Sequence, residues 1–319
     1  MTRAFVFPGQ GSQAVGMGRE LAAAFPAARE VFEEVDEALK HKLSKILFEG
    51  PESELVLTAN AQPALMAVSV AVVRVLEKEA KLEFGKHAKF VAGHSLGEYS
   101  ALAAVRTFSL ADTARLLRLR GETMQKAVPV GTGAMAALLG LDLEAAQAVA
   151  RDATKNPDDG QDEVVQTAND NAPGQVVVSG AKAAVERAVE IAKTKGAKRA
   201  ILLPVSAPFH CALMQPAADA MAEALERTTR APPLVPLVAN VTASAVSDPA
   251  TIRDLLVKQV TAMVRWRESC LYMKGQGVTA LVELGTGKVL TGLARRIDGE
   301  LSGVAVNGPA DIEAFAKTL

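Results

Sequence analysis

The sequence is poor in cysteine, in aromatic residues and in net charge. Only Cys211 and Cys270 occur among 319 residues, and no CxxC pair is present, so no disulfide framework can form. That usage suits a reducing cytoplasm. Aromatic residues make up 4% of the chain, too few for a base-stacking platform. Lys+Arg 35 against Asp+Glu 36 leaves a formal charge of −1. Such a chain has no basic field to hold a phosphate backbone, and nucleic acid is not expected as a ligand. No run of about 18 apolar residues exists, so no membrane-spanning helix is expected. The opening MTRAFVFPGQ lacks the charged and long apolar regions of a secretory signal. These absences lead to the expectation of a soluble, cytoplasmic, globular protein that binds neither nucleic acid nor membrane.

What the chain has in quantity is aliphatic. With 49% hydrophobic residues it can bury a sizeable core, and its length allows two domains or one large domain with an insert. Short β-branched or aromatic runs alternate with long Ala/Leu-rich periodic segments, the pattern of an α/β fold with a largely parallel sheet. Strands are expected at Ala4–Phe7, Phe90–Ala92, Ala280–Leu284 and Val304–Val306. Helices are expected at Ala59–Lys78, Leu96–Val105 and Leu110–Val128. The middle reads differently: strand at Ala134–Leu139, helix at Leu143–Asp152, strands at Val164–Thr167 and Gln175–Ser179. A loop, Asn169-Asp170-Asn171-Ala172-Pro173-Gly174, is expected between those last two strands. A helix at Ala181–Lys195 and a strand at Ala200–Leu203 follow. This β-α-β-β-α-β order is the ferredoxin-like signature. It predicts an insert at 132–204 within a larger domain formed by 1–131 and 205–319.

Gly93-His94-Ser95-Leu96-Gly97 is a G-x-S-x-G stretch after a strand and before a helix. A sharp turn in that context lifts a serine hydroxyl into the open, and the helix N-terminus behind it can stabilise an oxyanion. A serine needs a base. His41 and His87 lie among lysines and read as surface residues, while His94 within the elbow is expected to point away from the hydroxyl. His210 lies in a loop between a strand and a helix, where catalytic groups gather, and is the candidate base. No acid presents itself as a third member. Asp219, Asp248 and Asp254 qualify by position only, and a backbone carbonyl could equally hold the imidazole tautomer.

The 110–128 helix carries a misplaced charge. At about 100° per residue, Arg115, Arg118, Glu122, Gln125 and Lys126 share one polar face, while Arg120 falls about 170° from its centre. A guanidinium on an apolar stripe needs a partner, either a carboxylate of the protein or one of a substrate.

These residues together resemble a known family. Phe7-Pro8-Gly9-Gln10-Gly11-Ser12-Gln13, Ala92-Gly93-His94-Ser95-Leu96-Gly97-Glu98-Tyr99 and Arg120-Gly121 followed by Met124-Gln125 are similar to segments of the malonyl-CoA:acyl-carrier-protein transacylases of fatty acid synthesis. So are Asn169 to Val177, Ala207 to Met214, and Val257-Lys258-Gln259-Val260 ahead of Val264-Arg265-Trp266. The resemblance implies an α/β-hydrolase-like large domain with a ferredoxin-like insert. It implies a ping-pong transfer of malonyl from malonyl-CoA to the phosphopantetheine thiol of holo acyl carrier protein. Ser95 would be the nucleophile and His210 the base. Arg120 would take the free malonyl carboxylate, and the N–H groups of Gln10 and Leu96 would form an oxyanion hole. Gln259 would offer a main-chain carbonyl to His210, and Asn169 and Met124 would line the substrate site. Phe209 would leave little room for a methyl branch on the acyl group. No metal or cofactor is expected, malonyl-CoA being a substrate, and the protein is expected to be a monomer. Many relatives have a proline where Ala262-Met263 stand, so the loop near Gln259 could differ. Arg267, Lys274 and Arg295 are candidates for the coenzyme A phosphates.

Other readings use the same residues. A serine hydrolase or thioesterase would use the elbow with water as acceptor, but leaves Arg120 unexplained. Gly9-Gln10-Gly11-Ser12-Gln13-Ala14 fits a dinucleotide fingerprint, without the acid that should follow about 20 residues later at a second strand's end. A non-catalytic carrier-protein docking module would not need Ser95, His210 and Arg120 together.

Overall fold

The computed structural model describes residues 1–319. Two sheets organise it. The larger has six strands in the order β10-β9-β1-β2-β7-β8. These are β1 (Arg3–Phe7), β2 (Phe90–Gly93), β7 (Leu237–Ala239), β8 (Ser244–Val246), β9 (Ala280–Leu284) and β10 (Ser302–Val306). Neighbours are parallel throughout except at the β7–β8 edge. A parallel sheet covered on both faces needs strands apolar on both faces, and β1 meets this by splitting its side chains. Phe5 and Phe7 enter the main core of 62 buried residues, whereas Ala4 and Val6 enter a second core of 16 under the other face.

The smaller sheet is antiparallel, in the order β4-β5-β3-β6. Its strands are β3 (Gly133–Leu139), β4 (Val165–Ala172), β5 (Gln175–Ala181) and β6 (Arg199–Leu202), with helices Leu143–Ala153 and Lys182–Thr194 after the first and third. These four strands lie between β2 and β7 in the chain, giving an α/β-hydrolase-like body that carries a ferredoxin-like insert with its own 15-residue core. One expectation fails here. Residues 169–172 are strand rather than loop, and only Pro173-Gly174 turns the chain between β4 and β5. The polar run is accommodated because β4 has register irregularities between Thr167 and Asn169 and between Asp170 and Ala172. Asp170 is then paired by Arg267 at 2.8 Å and Asn171 by His94 at 2.8 Å.

The Thr58–Glu79 helix is long and apolar enough to cross a membrane, yet 89% of its most apolar stretch is buried inside the protein. It is a central core helix, packed by the Leu110–Lys126 helix. The two approach closely at Gly121, where a Cβ would lie 2.6 Å from the Thr58 carbonyl oxygen and from Ala59 Cα. Backbone atoms cannot yield as a side chain can. Gly121→Ala is therefore expected to cost about 1–3 kcal/mol of stability, read as a lower urea midpoint. It should also impair any activity of the adjoining Arg120.

Candidate active site

The elbow is built by backbone geometry that glycines make possible. Ser95 sits at φ 54 between β2 and the Gly97–Ala104 helix, a left-handed conformation that L-residues rarely hold without support. A Cβ at Gly93 would lie 1.9 Å from the Gly97 carbonyl carbon, and one at Gly97 would lie 2.3 Å from the Phe7 carbonyl oxygen. Both positions must be glycine for the turn to close against β1. Asn240, just beyond β7, fastens the turn. Its Oδ1 accepts from the Ser95 N–H at 2.8 Å and its Nδ2 donates to the Gly93 carbonyl at 2.7 Å.

Ser95 Oγ lies 2.7 Å from His210 Nε2, and His210 Nδ1 lies 2.8 Å from the Gln259 main-chain oxygen. A carbonyl only accepts, so Nδ1 carries the proton and Nε2 accepts from the serine hydroxyl. The main-chain carbonyl thus stands where an acid was sought. Asp219 bonds Gln215, Asp248 caps the Pro249–Gln259 helix through Thr251, and Asp254 pairs with Arg253. The substitution of Ala262-Met263 leaves Gln259 buried and in place.

Arg120 is 1% exposed. Its Nη1 donates to Gln62 Oε1 at 2.8 Å, and its Nη2 donates to Gln259 Oε1 at 2.8 Å and to Ser95 Oγ at 3.1 Å. Tyr99 stacks beside it, with the guanidinium carbon 5.7 Å from the ring centroid. No carboxylate touches it, and its Nε is buried without a partner. A donor in that state costs free energy unless a ligand supplies the acceptor.

The remaining expected residues divide. Met124 is buried and its sulfur accepts from Gln62 Nε2 at 3.6 Å, so it orients an amide that meets Arg120. Phe209 is buried beside His210. The N–H groups of Gln10 and Leu96 donate to no protein acceptor, and the Gln10 side chain reaches Thr58 Oγ1 at 3.3 Å. Asn169 is buried and bridges Val264 through its backbone, but no hydrogen bond links it to Ser95, His210 or Arg120. His94 turns away from Ser95, bonding Asn171 and packing 5.9 Å from the Trp266 ring. Arg267 is committed to Asp170, and Lys274 to Asp298 and Glu300. Of the three phosphate candidates only Arg295 is exposed without an acidic partner. The Gly9–Ala14 loop is followed by no helix until Arg19, which removes the setting a dinucleotide fingerprint needs.

Four residues of the site escaped the sequence reading: Gln62, Glu98, Asn240 and the side chain of Gln259. Glu98 is fully buried, accepting from the Asn240 N–H at 2.6 Å and from Gln259 Nε2. Its position inside the elbow motif was the available signal, since a glutamate in the first turn of a buried helix must find donors.

The chain is similar to known proteins over nearly its whole length. Residues 4–312 match the acyl transferase domain family. The chain is similar to the malonyl CoA-acyl carrier protein transacylase of Bacillus subtilis, with 48% identity over 316 residues that cover 99% of this chain and 96% of that one. It is equally similar to its Escherichia coli K12 namesake, with 48% identity over 311 residues, 98% of this chain and 97% of that one. Among solved structures, an acyl-carrier-protein-S-malonyltransferase from Bartonella henselae superposes with a TM-score of 0.95 at 57% identity, covering 100% and 99% of the two chains. A malonyl-transacylase in complex with its type II PKS acyl-carrier protein gives 0.94 at 44% identity, covering 100% of both.

Electrostatics follow from burial. His210 is pushed down to about 3, first by desolvation and then by the Arg120 cation, with its hydrogen bond to Gln259 opposing. Burial raises the Glu98 carboxyl, against the lowering effect of its donors and of Arg120; with N–H donors on both of its oxygens, the geometry calls for the ionised carboxylate. His210 is therefore neutral, the form that accepts a proton, throughout the physiological range. Its folded pKa lies below the ordinary value of 6.5, so the unfolded state binds more protons as pH falls. The stability it contributes is present above about pH 6.5 and is lost as pH drops toward 3. Labelling of Ser95 by a serine-directed fluorophosphonate should show no inflection near pH 6.5. Arg120→Gln should move the acid limb upward. An inflection near 6.5 in the wild type would contradict a buried neutral base.

Proposed function

Because the chain belongs to the acyl transferase family, and within it to the malonyl CoA-acyl carrier protein transacylases, we propose that it moves malonyl from malonyl-CoA to the phosphopantetheine thiol of holo acyl carrier protein through a malonyl-serine. The observation that carries this reading is the buried, unpartnered Nε of Arg120 on the guanidinium that also touches Ser95 Oγ. It offers a substrate carboxylate a donor beside the nucleophile.

Ser95 Oγ attacks the thioester carbonyl while His210 Nε2 takes the hydroxyl proton. The imidazolium is steadied by the Gln259 carbonyl. The negative oxygen of the tetrahedral adduct is offered the free N–H groups of Gln10 and Leu96. Collapse breaks the carbon–sulfur bond, His210 returns its proton to the thiolate, and coenzyme A leaves. The carrier-protein thiol then gives its proton to His210 and attacks the malonyl-serine, and Ser95 recovers the proton as it departs. Acetyl has no carboxylate for Arg120 and would leave that donor unpaired, which disfavours it. Phe209 would crowd a methyl branch. We assign 1–131 and 205–319 to the catalytic body and 132–204 to the insert, whose β4 approaches the elbow through Asn171 and His94. A cytoplasmic monomer that needs no cofactor is part of the same proposal. A thioesterase would share the first half-reaction, but nothing in water needs a buried guanidinium.

Intact-protein mass spectrometry after brief exposure to malonyl-CoA should give one malonyl adduct that maps to Ser95 and discharges onto holo carrier protein. Ser95→Ala should lower transfer by at least about 10⁴-fold. Arg120→Gln should narrow the malonyl-over-acetyl preference on the order of 10²-fold. Release of free malonate without a lasting adduct would favour the thioesterase instead.

A further inference from the structure

The inference concerns Glu98 and rests on the transacylase reading above. Two amides hold the site together, and Glu98 touches both. Asn240 fastens the Ser95 N–H, and Glu98 accepts from the Asn240 main-chain N–H. Gln259 offers its side-chain oxygen to Arg120 and its Nε2 to the Ser95 carbonyl at 2.9 Å and to Glu98. An amide keeps nearly the same shape when flipped but exchanges its donor and its acceptor, so its orientation is set by what it faces. Arg120 has donors only. The Gln259 oxygen must face it, and the Gln259 nitrogen must face an acceptor.

We propose that Glu98 is a positioning residue for acyl selection. By accepting from Gln259 Nε2, it holds the Gln259 oxygen toward Arg120, so that amide oxygens rather than a carboxylate meet the guanidinium and its Nε stays open to the substrate. A carboxylate directly on Arg120 would saturate the fork that must bind malonyl. No hydrogen bond joins Glu98 to Arg120 directly; beside a through-space attraction between the two charges, the contact runs through Gln259.

The Glu98→Gln variant separates these functions. The Asn240 N–H belongs to the main chain and cannot rotate, so the one oxygen of the new amide stays with it. Its NH₂ then meets the NH₂ of Gln259, which either keeps this donor–donor contact or flips, setting its oxygen against the Ser95 carbonyl and a donor toward Arg120; both weaken its hold on the guanidinium. Acylation of Ser95 by malonyl-CoA and by acetyl-CoA is measured in the wild type, Glu98→Gln, Gln259→Met and the double variant. Gln259→Met keeps the main-chain carbonyl that His210 needs. In each single variant kcat/KM for malonyl should fall at least about tenfold further than that for acetyl. The double variant should lose no further selectivity, because both changes act through one amide. An equal fall for both acyl groups, an unchanged ratio, or additive losses overturns the role of Glu98. Should Glu98→Gln not fold, as judged by the loss of a cooperative urea transition, an unchanged ratio in Gln259→Met overturns it. Wild-type protein that forms no malonyl-serine rejects the transacylase reading itself, and the inference with it.

Discussion

A guanidinium buried beside a serine is the constraint around which this molecule is arranged. Removing Arg120 from water is expensive, and a protein carboxylate would be the simplest compensation. The structure instead surrounds it with the oxygens of Gln62 and Gln259, the hydroxyl of Ser95 and the face of Tyr99. That shell is enough to keep the cation in place and too little to satisfy it. In the proposed reaction the unmet donor meets the carboxylate of the acyl group. The same charge helps keep His210 neutral, so under that proposal substrate selection and base readiness share one source.

The scaffold explains how such a shell can be assembled. A parallel sheet brings the C-terminal ends of β1, β2 and β7 to one edge, where the Gln10 loop, the Ser95 elbow and Asn240 all emerge. The close approach at Gly121 brings the Arg120 helix against the helix bearing Gln62. Gln259 arrives from the end of a helix over 130 residues further along the chain. It serves His210 by its main chain and Arg120 by its side chain. Distant segments therefore meet in one buried network, and a network of this kind is stable only when nearly every member is satisfied.

The reliance on a carbonyl in place of an aspartate has a physical logic. A carboxylate at Nδ1 would raise the histidine's basicity and, in the proposed reaction, would repel the carboxylate of the acyl group. A neutral carbonyl fixes the tautomer without that repulsion. Gln62, Asn240 and the Gln259 side chain are likewise polar and buried, and each gives direction to a neighbour.

Much of this was legible in the chain before folding was considered. The G-x-S-x-G turn follows from local sterics, since only glycine fits on either side of Ser95. The isolation of Arg120 follows from helical periodicity, and the β-α-β-β-α-β order of the insert follows from alternating apolar patterns. These are short-range properties, carried by spacing. The polar run at 169–172 misled because Asn and Asp favour turns locally, whereas bulges and partners from outside the strand hold them extended. Gln62, Glu98, Asn240 and the side chain of Gln259 carry no local mark of their roles. Their hydrogen bonds join residues up to 164 positions apart, and only the folded arrangement decides which amide faces which charge. The sequence by itself determined the nucleophile turn, the stray cation and the plan of a body with an insert. Tertiary structure decided what satisfies that cation and what leaves it waiting, because burial gives a hydrogen bond its direction and makes an unpaired donor costly.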